Sequence, residues 1–266
     1  MGLQSSSLPQ NLASFRLCQL GPAFAMAVIL LPTVHHLYHD YQAFMALGPG
    51  GTPKTLLGYL RIKVLSFCAL KDPYSPSTVL RRLQDHQGFL AQLPRRGGSR
   101  PKTEGIAPHR QVTQTASTAT FDKLAAAINE IGSAAEDLEI GTSCFEKHGT
   151  GLFSVSPARS TCKGEVCHAH PSDRSLHMTL HPADAKIVLE AGWGERHPLA
   201  RGGWFERFVP YGFVMVYAPR SDTEVETVLQ IVKAATWHVK NGRGSQDCES
   251  ARRDSGYASA DDAEIG

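Results

Sequence analysis

Three histidines, His168, His170 and His177, are spaced so that a single hairpin can present all of them on one face. Imidazole ionises near neutrality, so such a group can take a proton from an acidic hydroxyl. In its neutral form it can also ligate a metal. Trp193, Arg196 and His197 follow downstream, with Tyr217 beyond them. A guanidinium holds an oxyanion by charge-assisted hydrogen bonds, a role open to Arg196 or to Arg220. The Trp193 and Tyr217 rings can stack on a flat compound, and Asp173 can orient a histidine. Together these residues suit ionisation of a planar, electron-rich substrate. His168, His170 and His177 are the candidate bases, with no choice among them. Asp173, Trp193, Arg196, His197 and Tyr217 are the candidate substrate-binding residues. No residue is assigned to a metal.

The elements that position them read as strands. Residues 165–170 and 174–181 are strand-like, and Pro171-Ser172-Asp173 between them has a turn composition. Leu176, Met178 and Leu180 point one way, and Ser175, His177, Thr179 and His181 the other, because strand side chains alternate. A four-residue loop, 171–174, sets His170 opposite Ser175 and His168 opposite His177, with Cβ atoms roughly 5 Å apart. Cys167, Ala169, Leu176, Met178 and Leu180 then form a core-facing set. A one-residue slip in register scatters the imidazoles.

Of the 266 residues, 42% are hydrophobic and 20% charged, which is a globular composition. A net charge of +2 leaves no nucleic-acid footprint. The six cysteines are spread out and suggest no dense disulfide framework. The spacing of Cys162 and Cys167 is not that of a usual zinc site.

Helical patterns run over residues 78–93, 120–138 and 182–192. A last one has Val225, Val228, Ile231, Val232 and Ala235 as its apolar stripe. Strands are expected within 143–156 and near 204–209 and 213–217. The class is α+β: an antiparallel sheet packed by helices, with an N-terminal membrane-anchor helix. That anchor is residues 17–34, nearly free of charge and close to bilayer-spanning length. The divisions are a flexible 1–16, the anchor, a domain over 35–240 and a disordered tail over 241–266.

The chain resembles the fungal luciferase family, including its non-luminous relatives. The resemblance rests on YQAF at 41–44, LAQLP at 90–94 and Arg100-Pro101. It continues in His168-Ala169-His170, Leu176-His177, the string GWGERHPLA at 192–200, and Tyr217-Ala218-Pro219-Arg220. It implies a membrane-associated enzyme, single-pass and endomembrane. Luminous members of that family oxygenate 3-hydroxyhispidin, a hydroxylated α-pyrone, with molecular oxygen and without flavin or metal. The turn after His170 is one residue shorter than in the luminous members, and residues 201–211 differ.

Three functions are compatible with these residues. One is a cofactor-free oxygenase of a small pyrone or related aromatic metabolite. Another is a metal-dependent tailoring enzyme, since imidazoles on paired strands can ligate zinc or iron. The last is a membrane-tethered binding protein without catalysis.

Overall fold

The structure, a computed structural model, describes residues 11–76, 87–158 and 161–241, with backbone only for 11–23 and 161. Residues 1–10 of the expected N-terminal segment, 78–86 of the expected 78–93 helix and 242–266 of the expected tail lie outside these. Residues 87–93 are not helical. The chain divides into two compact units, residues 1–46 and 47–266.

The first unit is one helix, α1 (Asn11–Ala46). The expected anchor falls within it, and the side chains of 17–23 are not among those described. No described helix is long and apolar enough to cross a membrane. The described apolar run is short, because Val34 gives way to His35, His36, His39 and Asp40.

The second unit begins with α2 (Leu56–Ser66), capped by the Thr55 hydroxyl, which accepts from the Gly58 N–H. A two-stranded ribbon follows, β1 (Thr103–Gly105) with β2 (His109–Gln111). After α3 (Thr118–Ala134) come β3 (Leu138–Thr142), β4 (Thr150–Ser154), β5 (Glu165–Ala169) and β6 (Leu176–Thr179). Then follow α4 (Pro182–Glu190), β7 (Gly194–Arg196), β8 (Phe213–Val216) and α5 (Asp222–Asn241). The larger sheet has the order β3-β4-β5-β6-β8-β7, antiparallel throughout. This is the α+β architecture, antiparallel strands packed by helices, that the patterning implies.

Alternation divides the sheet into two faces. Val166, Cys167, Leu176, Met178, Val214 and Val216 join Leu124 and Ile128 of α3 and the α5 stripe in one buried apolar cluster. Each such side chain contributes about 1.5–3 kcal/mol by leaving water, so this face fixes the register of the whole sheet. The opposite face carries His168, His177, Met215 and Phe213, covered by the β1–β2 ribbon and the 143–148 loop.

Two expected strands are absent. Residues 203–207 form a 3-10 turn, because Gly202 and Gly203 adopt φ of 79° and 61°, outside the extended region. Phe145 lies in the loop after β3, where Ser143 accepts the Lys147 N–H on its carbonyl and the Glu146 N–H on its hydroxyl.

Candidate functional site

One register row crosses the sheet: Gly151, His168, His177, Met215 and Glu195 are paired in turn. The hairpin is as expected, with His168 opposite His177 and the His170 N–H donating to the Ser175 carbonyl (2.9 Å). Arg174 takes the left-handed position of its turn, φ 65°. His168, His170 and His177 gather with ring centroids 4.7–5.4 Å apart. Two more imidazoles complete the group: His109 from β2 and His197 after β7, each 5.5 Å from His177. Phe213 stacks flat against His177 at 5.1 Å. All five imidazoles are at most 5% exposed.

A bulge in β5 brings a carboxylate to this group. Leu152 pairs with Cys167 but Phe153 pairs with Glu165, so Val166 is an extra residue. Glu165 and His168 therefore share a face, with Glu165 Oε1 2.6 Å from His168 Nδ1. The same carboxylate accepts from the Ser143 hydroxyl (2.8 Å) and the Cys144 N–H (2.6 Å). A disulfide, Cys144–Cys162, ties this loop to the entry of β5. His168 Nε2 is buried and has no hydrogen-bond partner among the described residues.

The remaining imidazoles form a chain. His170 Nδ1 is 2.9 Å from the Ser175 hydroxyl, which donates to Asp173 Oδ2 (2.6 Å). His170 Nε2 is 3.0 Å from His177 Nδ1, and His177 Nε2 is 3.3 Å from His109 Nδ1. His109 Nε2 is 3.0 Å from Glu195 Oε1, and Glu195 also accepts from Thr103 (2.6 Å) and Tyr217 (2.8 Å). Glu146 lies 3.7 Å from His170 Nε2 and is gripped by the Arg110 fork at 3.1 and 2.7 Å.

The electrostatics separate rings from acids. Burial pushes His170 down to about 4, only partly opposed by Asp173. Burial, reinforced by neighbouring imidazoles, holds His177 and His197 well below the ordinary histidine value. These rings are neutral at pH 7. Burial alone would raise the carboxyls, yet hydrogen bonds outweigh it. Arg110 lowers Glu146, His170 lowers Asp173, and His109 lowers Glu195. Burial and the Glu195 charge raise Tyr217, which stays a donor.

Not every expected residue is here. Asp173 stands behind His170, and His197 and Tyr217 lie on the imidazole face. Trp193 belongs to the apolar cluster on the other face, its indole N–H donating to the Pro94 carbonyl (2.6 Å). Arg196 pairs with Val214, a core-facing residue, and its guanidinium donates to the carbonyls of Ala200 and Ser75. A strand places successive side chains on opposite faces, so Glu195 and His197 reach the imidazoles and Arg196 does not. Arg220 is bonded to Glu224 and the Gly97 carbonyl. Patterning missed His109, Arg110, Glu146, Glu165 and Glu195. His109, Arg110 and Gln111 are all buried, so β2 shows no alternation from which to read a face.

Two surface cavities lie elsewhere: one is lined by Pro182, Lys186 and Arg196, the other by Arg95, Arg100 and Glu190. None of the five imidazoles lines either. Phe145, half-buried on the 143–148 loop, lies 4.4 Å from Phe213 and 6.1 Å from His168 between ring centroids.

The family model for the luciferase domain matches residues 163–235. A protein named luciferase from Neonothopanus nambi is 30% identical over 95% of this chain and 99% of its own length. The chain belongs to the fungal luciferase family. Luciferases of Armillaria mellea and Armillaria ostoyae are also 30% identical, over 82% of this chain and 86% of theirs. No solved structure matches significantly. The luciferase-domain match takes in Glu165, His168, His170, His177, Glu195 and His197, and leaves His109, Arg110 and Glu146 outside.

Proposed function

We propose that this chain is a luciferase-like oxygenase of a hydroxylated pyrone or related aromatic metabolite, with molecular oxygen as co-substrate. His168 carries the proposal. Glu165 commits its Nδ1, and its Nε2 is buried and unpartnered among the described residues. A carboxylate behind an imidazole fixes the tautomer and stabilises the imidazolium when the ring takes a proton. A bare lone pair so placed ionises an acidic ring hydroxyl, and the resulting anion is electron-rich enough to reduce oxygen without an organic cofactor. Similarity to proteins named luciferase supports this over a purely binding role.

A membrane location through α1 belongs to the same proposal. Phe24, Ile29, Leu31 and Val34 are each more than 60% exposed on that helix, and contiguous apolar surface needs cover. Co-flotation of the full chain with lipid vesicles tests it.

A second reading, metal-dependent chemistry, is favoured by the company that lone pair keeps. Glu146, His168, His170 and His177 each offer a ligand atom, all within 4.8 Å of one another.

The activity test is incubation with 3-hydroxyhispidin under oxygen, following substrate loss and light together. Substrate loss, with or without light, is the predicted result. Persistence of 3-hydroxyhispidin and of a panel of other hydroxylated pyrones contradicts the proposal.

A further inference from the structure

We infer that Glu146, His168, His170 and His177 bind one divalent first-row transition ion. The hydrogen bonds behind these rings decide it. Glu165 accepts from His168 Nδ1, leaving Nε2 bare. The Ser175–Asp173 pair takes the proton on His170 Nδ1, leaving Nε2 bare. From the far side, Glu195 takes the proton on His109 Nε2, so His109 Nδ1 accepts from His177 Nε2. That leaves His177 Nδ1 bare as well. Two of these lone pairs, His170 Nε2 and His177 Nδ1, then face each other at 3.0 Å with no proton to share. Adjacent ligands on an ion with bonds of about 2.1 Å are themselves separated by about 3.0 Å at right angles and about 3.4 Å in a tetrahedron. A cation between them turns the repulsion into coordination.

The surroundings match what metal sites require. Ligating imidazoles donate their other N–H to a carboxylate or its relay, as His168, His170 and His177 do here. Glu146 supplies the oxygen ligand, and Arg110 holds its carboxylate in place. Three nitrogens and one oxygen suit manganese, iron, cobalt or zinc. A rival trio, His109, His177 and His197, is equally close-set. Its lone pairs are spent: His197 accepts from the Leu199 N–H and bonds the Ile106 backbone. Both nitrogens of His109 are likewise engaged.

The ion would take up the His168 Nε2 lone pair that the cofactor-free reading uses as its base, so this inference rests on the metal-dependent reading; binding is measured without substrate, so its failure leaves the cofactor-free reading standing. Tag-free, full-length protein is stripped with chelator and titrated with Co2+, reading visible absorption and Tm. The expected result is about one Co2+ per chain and a Tm rise of roughly 5 °C at saturation. Glu165→Gln weakens binding about 10–100-fold, Glu146→Gln and His168→Asn weaken it at least as much, and His197→Asn retains it. Circular dichroism confirms that each variant folds; if Glu146→Gln does not, His168→Asn carries the test. Absence of binding to wild type overturns the assignment and leaves a shared proton between His170 and His177. Binding lost in His197→Asn but kept in Glu146→Gln also overturns it.

Discussion

Glu165 and His168 stand an odd number of positions apart on one strand, yet their side chains meet at 2.6 Å. A regular strand would send them to opposite faces. The extra residue at Val166 reverses the parity, and Val166 and Cys167 both end in the core. The bulge thus builds the carboxylate–imidazole pair on which the site's chemistry rests. Gly151, opposite His168, keeps the neighbourhood open, since a Cβ there would come within 3.4 Å of Glu165 Oε1.

Replacing Glu165 by Gln keeps the shape and removes the charge that orients His168. Turnover is expected to fall about 10–100-fold. Steady-state kinetics should show the loss in kcat more than in KM.

The disulfide Cys144–Cys162 spans 18 residues and anchors the loop that carries Glu146. Closing a loop of that size is worth about 3 kcal/mol. The double Ser variant should lose that much in urea denaturation, and lose activity too, because the Cys144 N–H is one of the donors holding Glu165.

The hairpin was legible because its signals are local: a Pro-Ser-Asp turn and clean alternation through Leu176, His177 and Met178 set the register. The acids were not. Glu165 reads as core-facing until the bulge is known. Glu195 reaches His109 only through pairings across the sheet, from a partner 86 residues away in the chain. Glu146 and Arg110 meet through loops whose courses no periodicity encodes. Trp193 and Arg196 drew attention by residue type, and their faces were settled by where β7 pairs with β8.

Arg196 serves the fold, donating to the carbonyls of Ala200 and Ser75 from the face opposite the imidazoles. Arg196→Met should destabilise by about 1–3 kcal/mol by stranding the buried Ala200 carbonyl. Turnover per folded molecule should match wild type. A loss of turnover in fully folded protein would return Arg196 to the substrate site.

Glu146, Asp173 and Glu195 have folded pKa values below their ordinary range. The unfolded chain therefore binds protons more readily in acid. The stability they contribute is complete above the unfolded values, near 4, and drains away as pH falls through the folded ones. Unfolding free energy, followed from pH 7 down to pH 3, should begin to decline near pH 6.5, where unfolded His170, His177 and His197 take up protons that the folded rings refuse, with the acids adding to the fall below about 4. A variant with Asp173→Asn should decline less steeply.

The most direct measurement is oxygen uptake by wild type and His168→Ala side by side, with 3-hydroxyhispidin or whichever hydroxylated pyrone the panel identifies. With the bare Nε2 at the centre of the chemistry, wild type consumes oxygen and substrate together, and the folded variant falls by at least 100-fold. Equal uptake by the two proteins contradicts the account.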